Sequence, residues 1–375
     1  LGSGIAAGTQ GKTGFLPMSA TAARAPGTAS APEGPPASPS TSPPAAAVAR
    51  RRRFPRTALS LALGAAAVLV LAVASMFIGV SDVSLPLLLA GDPAAWQVFW
   101  VSRVPRTLSI ILAGMAVSVA GLIMQLMARN KFVEPGTIGT VESASLGILV
   151  VTVLLPGASL MMKMSTATIF AAAGTALFLL ILRRLPLRNT LIVPLVGIML
   201  GGVISAVTTF FAYRSDLLQT LNSWMVGDFS GVLRGRYELL WIVGALTVIG
   251  YLAADRFTVA GMGSDFTTNL GLNYNRVMTL GLVIVSLISA VVVVSVGSIP
   301  FLGLIVPNLV SLMIGDNVRR AVPWVAVFGA GFVLACDIIG RTIRYPYEIP
   351  VGVIVAAIGS VLFLYLLLRK RATRG

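Results

Sequence analysis

Ten apolar runs, most of them close to the length that crosses a bilayer, follow one another from Thr57 to the end of this 375-residue chain. They cover residues 57–79, 107–128, 136–155, 164–182, 190–212, 237–254, 277–297, 299–314, 322–340 and 349–368, with short polar breaks between them. A helix needs about 20 apolar residues to cross a hydrocarbon core of roughly 30 Å. Backbone amides in lipid must find partners within their own segment, so runs of this length predict helices. The expected fold class is therefore all-α: a polytopic membrane protein of about ten transmembrane helices. A hydrophobic fraction of 56%, a charged fraction of 11% and a mean hydropathy of +0.91 fit no ordinary soluble domain.

The formal net charge is +15, and its placement matters more than its size. With the N-terminus in the cytoplasm, ten spans return the C-terminus there. Eighteen Lys and Arg then fall inside, including Arg50–Arg53, Arg129, Lys131, Arg183, Arg184 and Arg276. Eight fall outside, among them Arg103, Arg106, Lys163 and Arg341. This is the bias of the positive-inside rule, and the opposite topology would invert it. The basicity is thus topological, and nucleic-acid binding is not expected, because no soluble basic domain is present to carry it. A single cysteine, Cys336, permits no intrachain disulfide, and histidine is absent. The commonest metal ligand and the commonest general base are both missing. No metal site, cofactor or catalytic cluster is expected, so the chain does not read as an enzyme.

Residues 1–49 are rich in Ala, Pro, Ser, Gly and Thr and predict a disordered tail, with Met18 as a possible biological start. Residues 50–375 form the expected transmembrane domain. The basic cluster before the first run resembles a signal peptide, but a 23-residue run without a small-x-small cleavage site predicts an uncleaved span. Residues 6–13, ending Gly11-Lys12-Thr13, fit a relaxed phosphate-loop pattern. Gly14 and Pro17 interrupt the helix such a loop must open, so the match reads as chance and no nucleotide-hydrolysing machinery is expected. Gly114, Ser118 and Gly121 in the second run, and Gly197 and Gly201 in the fifth, have the spacing that lets helices pack closely. Pro300 and Pro307 predict a broken eighth span.

Three constellations could carry function. Residues 102–107 place Arg103 and Arg106 three apart at the outer mouth of the second span, with Pro105 between them. Cations at a helix start oppose its macrodipole. With Arg341 they suggest either a positive docking surface for an acidic partner or snorkelling and pairing with Asp337. Residues 256–276 form the longest expected cytoplasmic loop. Ser264 or Asp265 could cap a short helix there that Gly271 would end, and Met262, Phe266, Leu270, Leu272 and Tyr274 are exposed apolar candidates for a partner interface. The acids Glu142 and Asp337 lie near membrane depth without a relay partner and read as structural, while Glu134, before Pro135, is expected to be solvated.

Four stretches, in order and at matching spacing, resemble the FecCD family, the permease subunits of ATP-binding-cassette importers for iron-siderophores, haem and vitamin B12. They are Arg103-Val104-Pro105-Arg106-Thr107-Leu108, residues 120–130 from Ala120 to Asn130, residues 299–307 from Ile299 to Pro307, and Glu348-Ile349-Pro350-Val351-Gly352. Residues 130–136 and 258–274 are similar to the branch that handles petrobactin- and anguibactin-type ferric siderophores. The resemblance implies a vitamin B12 permease-like ABC importer fold of ten helices. It also implies a dimer with itself or a sister permease, two cytoplasmic ATPase subunits and an extracytoplasmic siderophore-binding lipoprotein. It assigns Arg103, Arg106 and Arg341 to docking of that binding protein. It assigns Gly263, Ser264, Asp265, Phe266, Leu270 and Gly271 to ATPase coupling, and Arg183, Arg184, Pro186 and Asn189 to an inner gate loop. Two departures stand out: Asn308 follows Pro307 where most relatives have His, and Asp265 alone remains of a glutamate-rich coupling start. The implied location is a bacterial cytoplasmic membrane with both termini inside. The rival is a secondary transporter coupled to an ion gradient, which should show paired intramembrane carboxylates or matched broken helices.

Overall fold

The computed structural model describes residues 54–79, 84–185, 192–235, 237–315 and 317–372. The tail at 1–49 lies outside the described residues. Apart from one isolated bridge between Val226 and Ser298, the regular structure described is helical. The first part of the chain gives α1 (Phe54–Phe77), α2 (Leu85–Leu89), α3 (Pro93–Val98), α4 (Val104–Met127), α5 (Thr140–Leu154), α6 (Leu160–Arg184) and α7 (Ile192–Arg214). After it come α8 (Leu218–Met225), α9 (Leu240–Leu252), α10 (Ala254–Met262), α11 (Ser264–Asn269), α12 (Tyr274–Val296), α13 (Leu302–Ile314), α14 (Val318–Thr342) and α15 (Val351–Ala372).

Among the described residues, six helices are long and apolar enough to cross a membrane, or seven if α9 and α10, bent by 58°, count as one broken span. The chain is a multi-pass membrane protein. The three remaining apolar runs of the expected ten form the shorter apolar helices α5, α13 and the first part of α15. The break expected in the eighth run lies before the helix rather than at its inner proline. Phe301 takes a left-handed conformation (φ 63°), α13 starts at Leu302, and Pro307 sits inside it.

Short polar side chains fix the helix starts. Asp92, Ser159, Asn273 and Asn317 each accept a backbone N–H from the first turn that follows, which satisfies a donor that has no partner within the helix. The second span begins earlier than expected. α3 runs through a π-helical turn at Phe99–Arg103 directly into α4, so Arg103 and Pro105 lie within a continuous helical rod. The wider turn accommodates the proline, which has no N–H to give.

α4 and α12 are the interior helices, buried over 78% of their most apolar windows, against 11% for α1 and 22% for α7. Lipid tails are as apolar as leucine, so burial alone does not hold such helices together and close packing has to. Glycine provides it on both flanks of α4. A methyl group on Gly114 would lie 2.7 Å from the Gly329 carbonyl of α14, and one on Gly121 would overlap the backbone of Gly303 in α13. Gly139 packs against Gly197 and Gly201 of α7 more loosely, a methyl group there lying 3.3 Å from the Gly201 nitrogen. The small-residue spacing seen in the sequence therefore serves packing within this chain.

Candidate functional site

At one end of the bundle the π-helical turn, α4, α14 and the segment before α15 bring five charged side chains together beside the end of α1. Arg106 donates from Nη2 to Asp337 Oδ1 at 2.7 Å and from Nη1 to Glu348 Oε2 at 2.7 Å. Arg341 pairs with the other oxygen of Asp337 and reaches Ser75, and its Nη1 also donates to the Ile78 carbonyl at 2.6 Å. Arg103 donates to that same carbonyl at 3.0 Å. Asp337 is fully buried, Arg103, Arg106 and Arg341 are nearly so, and Glu348 is a quarter exposed. Three guanidinium groups thus share two carboxylates and a cluster of main-chain acceptors. Taking these charges out of water is affordable only because each finds a partner. The three expected docking arginines do converge, but as a buried network; the cations exposed near them are Arg234 and Arg344. Asp337 takes the structural pairing read from its spacing to Arg341. Two partners went unread: Glu348, which the sequence showed only as part of a motif, and Ser75.

At the other end, residues 254–274 are more helical than the expected loop. α10 and α11 meet at Gly263, whose φ of 126° no L-residue adopts easily. Neither Ser264 nor Asp265 caps α11. Gly263 occupies the cap position without a side-chain bond, Ser264 opens the helix, and its hydroxyl donates to Asp265 at 3.0 Å. Gly271 does end it: with φ at 78°, its N–H and that of Leu272 bond back to Thr268 and Thr267. Thr267 is fully buried and donates to the Val259 carbonyl at 3.1 Å, which locks α11 onto α10. The opposite face presents Met262, Phe266 and Leu270, each about half exposed. An ion pair of 3.1 Å between Arg319 and Asp255 ties this unit to α14. Nearby, Asn308 donates to the carbonyls of Lys131 and Leu304, both at 2.7 Å, and so joins α13 to the turn after α4. Of the expected gate loop, Arg183 and Arg184 close α6, with Arg184 exposed; Pro186 and Asn189 lie outside the described residues.

Between these ends a cavity of about 290 Å³ is lined by Glu134, Glu142 and the glycines at 136, 139, 197 and 201. Glu134 is not solvated as expected. Its carboxylate accepts the Phe301 N–H at 3.0 Å, which holds the strained start of α13. Burial pushes its carboxyl above the usual range, partly offset by that bond. A raised folded-state value means that the charged form weakens folding. Stability is therefore lost as pH rises from the unfolded value, about 4.3, through the folded one. Glu134→Gln keeps an acceptor for Phe301 and should unfold at a higher temperature than the parent at pH 7 but not at pH 4. Thermal scans at the two pH values check this.

Residues 46–369 match the sequence profile of the FecCD transport family, which covers nearly all of the helical region just described. This chain belongs to the FecCD transport family. Among its relatives, the petrobactin import system permease protein YclN of Bacillus subtilis is 50% identical over 304 residues, 81% of this chain and 96% of that protein. The ferric-anguibactin transport system permease protein FatD of Vibrio anguillarum is 42% identical over 295 residues, 79% of this chain and 94% of the relative. A solved metal-chelate type ABC transporter in an inward-facing conformation superposes with a TM-score of 0.74 at 25% identity, covering 84% of this chain and all of that one. The motifs that carried the resemblance therefore sit at defined places in this FecCD chain. The arginine motif and Glu348 build one end, Gly121 and Gly303 the packed middle, and residues 258–274 the other end.

Proposed function

We propose that this chain is the transmembrane permease subunit of an ATP-binding-cassette importer that takes up ferric siderophore across the bacterial cytoplasmic membrane. The observation that carries the reading is the 50% identity to a petrobactin permease over nearly the whole of that protein. In this reading residues 50–375 form one transmembrane domain of ten spans. The six long helices, the bent α9–α10 pair and the three shorter apolar helices supply them. Both termini are cytoplasmic, as the placement of Lys and Arg supports.

The chain hydrolyses nothing itself; two cytoplasmic ATPase subunits supply the energy. Their groove receives Phe266 and Leu270, the apolar residues left uncovered on α11 and just after it, with Gly263, Ser264, Asp265 and Gly271 setting the angle of that helix. Arg183, Arg184, Pro186 and Asn189 form the inner gate. An extracytoplasmic siderophore-binding lipoprotein docks over the end held by Arg103, Arg106 and Arg341. Carboxylates on that partner would engage Arg106 as the part-exposed Glu348 does here. A second permease subunit completes the path for the chelate.

The test is reconstitution in liposomes with the ATPase, the binding protein and the second permease subunit. Labelled ferric petrobactin should accumulate only when ATP and all of these components are present. The rival, an ion-coupled secondary transporter, draws on Glu134 and Glu142 lining one cavity. Accumulation driven by a proton or sodium gradient without the ATPase would replace the proposal with that rival.

A further inference from the structure

The largest cavity described, about 1190 Å³, opens beside the coupling segment, between the last turns of α6 and the first turns of α12. It exceeds the roughly 300–1,000 Å³ of typical small-molecule sites, and it is open rather than enclosed. Its lining is mixed, with Ser264, Asn275 and Thr279 among the apolar residues. Leu179 and Leu182 of α6 face Leu280 and Val283 of α12, while Arg129 and Arg276 stand at the polar end with Asp265. Both arginines are exposed, and neither forms an ion pair among the described residues. Arg184 closes α6 nearby and is also exposed.

We propose that this cleft binds an anionic phospholipid of the inner leaflet. This rests on the cytoplasmic orientation proposed above for this end. An apolar groove open between membrane helices fills with acyl chain, and arginines at its headgroup end select a phosphate-bearing lipid over a neutral one. One chain lies along Leu179, Leu182, Leu280 and Val283, and the phosphate sits between Arg129 and Arg276. The site bears on coupling because the Arg129 guanidinium lies against Gly263, the hinge between α10 and α11. A lipid phosphate on Arg129 thereby holds the angle at which α11 is presented.

Native mass spectrometry of the full-length permease from mixed phosphatidylglycerol and phosphatidylcholine nanodiscs tests this. Phosphatidylglycerol should be retained in preference, and R129N/R276Q should reduce that preference roughly 30-fold. Asparagine is chosen because Arg129 has a φ of 46°, which asparagine tolerates. Both sites are exposed, so the thermal unfolding of the double variant should match the parent. Leu280→Trp, which fills the groove without removing charge, should also lower retention. Equal retention of the two lipids, or retention unchanged in both variants, overturns the proposal. Displacement by inorganic phosphate at equal concentration would reduce the site to a plain anion site. Release on assembly with the ATPase or with a second permease would assign the groove to that protein. Uptake in the liposome assay reports on the importer reading separately, so the two can fail independently.

Discussion

Replacing Asp337 by alanine is expected to destabilise the permease by about 3–5 kcal/mol, the range for removing one partner of a buried ion pair. Asp337 is fully buried and is the common partner of Arg106 and Arg341, which approach it from α4 and from its own helix. Without it, two desolvated guanidinium groups face each other, with Glu348 as the one anion left in the network and the Ser75 hydroxyl and main-chain carbonyls as neutral acceptors. Asp337→Asn should cost nearly as much, since it preserves the shape but not the charge. Glu348→Gln should cost about 1 kcal/mol or less, because water can reach that carboxylate. Denaturant or thermal unfolding in detergent, compared across the three variants, reads the order directly. A D337A loss no larger than that of E348Q would mean that the network contributes little to holding α1, α4 and α14 together. The same geometry bears on docking. Charge reversal at Arg106 puts a carboxylate beside Asp337, so it cannot be expected to leave the fold intact. Variants at the exposed Arg234 and Arg344 probe binding-protein contact without that complication.

The sequence made some of this arrangement legible and concealed the rest for identifiable reasons. The Asp337–Arg341 pair is one helical turn apart and follows from helix geometry alone. Arg106 is 231 residues from Asp337 and 242 from Glu348, and no local periodicity encodes such contacts. Charge economy in a low-dielectric interior does hint at them, because three arginines at one membrane face need anions and the apolar runs hold very few. The helices themselves were readable because ten runs of roughly span length leave no other backbone solution. Their ends were less so. Residues 256–262 looked polar enough for a loop, yet α10 forms there by packing Phe257 and Ala260 into the core. The sequence suggests solvent for Glu134 because it precedes Pro135 in a short polar break. Its partner, the Phe301 amide, is 167 residues away.

The small residues show the same division between pattern and partner. Spacing identifies Gly114, Ser118 and Gly121 as a contact stripe, but not the helix that each meets. Gly114 and Ser118 face Gly329 of α14, and Gly121 faces Gly303 of α13, so one stripe serves two neighbours of the central helix. With both flanks of α4 set by glycine contact, a displacement on one side is transmitted to the other. In the importer proposed above, this contact is the route by which motion at α10 and α11 reaches the arginine network, since packed helices shift between discrete arrangements rather than deforming smoothly.

Gly121→Val should therefore be among the most damaging single changes in the membrane region. A side chain at that position overlaps the Gly303 backbone, which has no flexible atom to move aside. Gly303 is itself confined, since a methyl group on it would lie 2.6 Å from the Pro135 ring. Forcing α13 away also stretches the bonds of 3.2 and 3.3 Å from the Gln125 amide to the Gly303 and Leu304 carbonyls. Overpacking costs about 1–3 kcal/mol, and a buried amide left without its acceptors adds about 1–3 kcal/mol more. The expected loss is about 3 kcal/mol or greater, seen as a lower unfolding temperature and reduced yield of folded permease. Gly202→Val is the matched control. It lies one residue after Gly201 on the exposed face of α7 with nothing within 4 Å, and should change stability by no more than about 0.5 kcal/mol. If the two variants behaved alike, close approach between α4 and α13 would not be what limits substitution at Gly121. The coupling of the two ends through the central helix would then need another route.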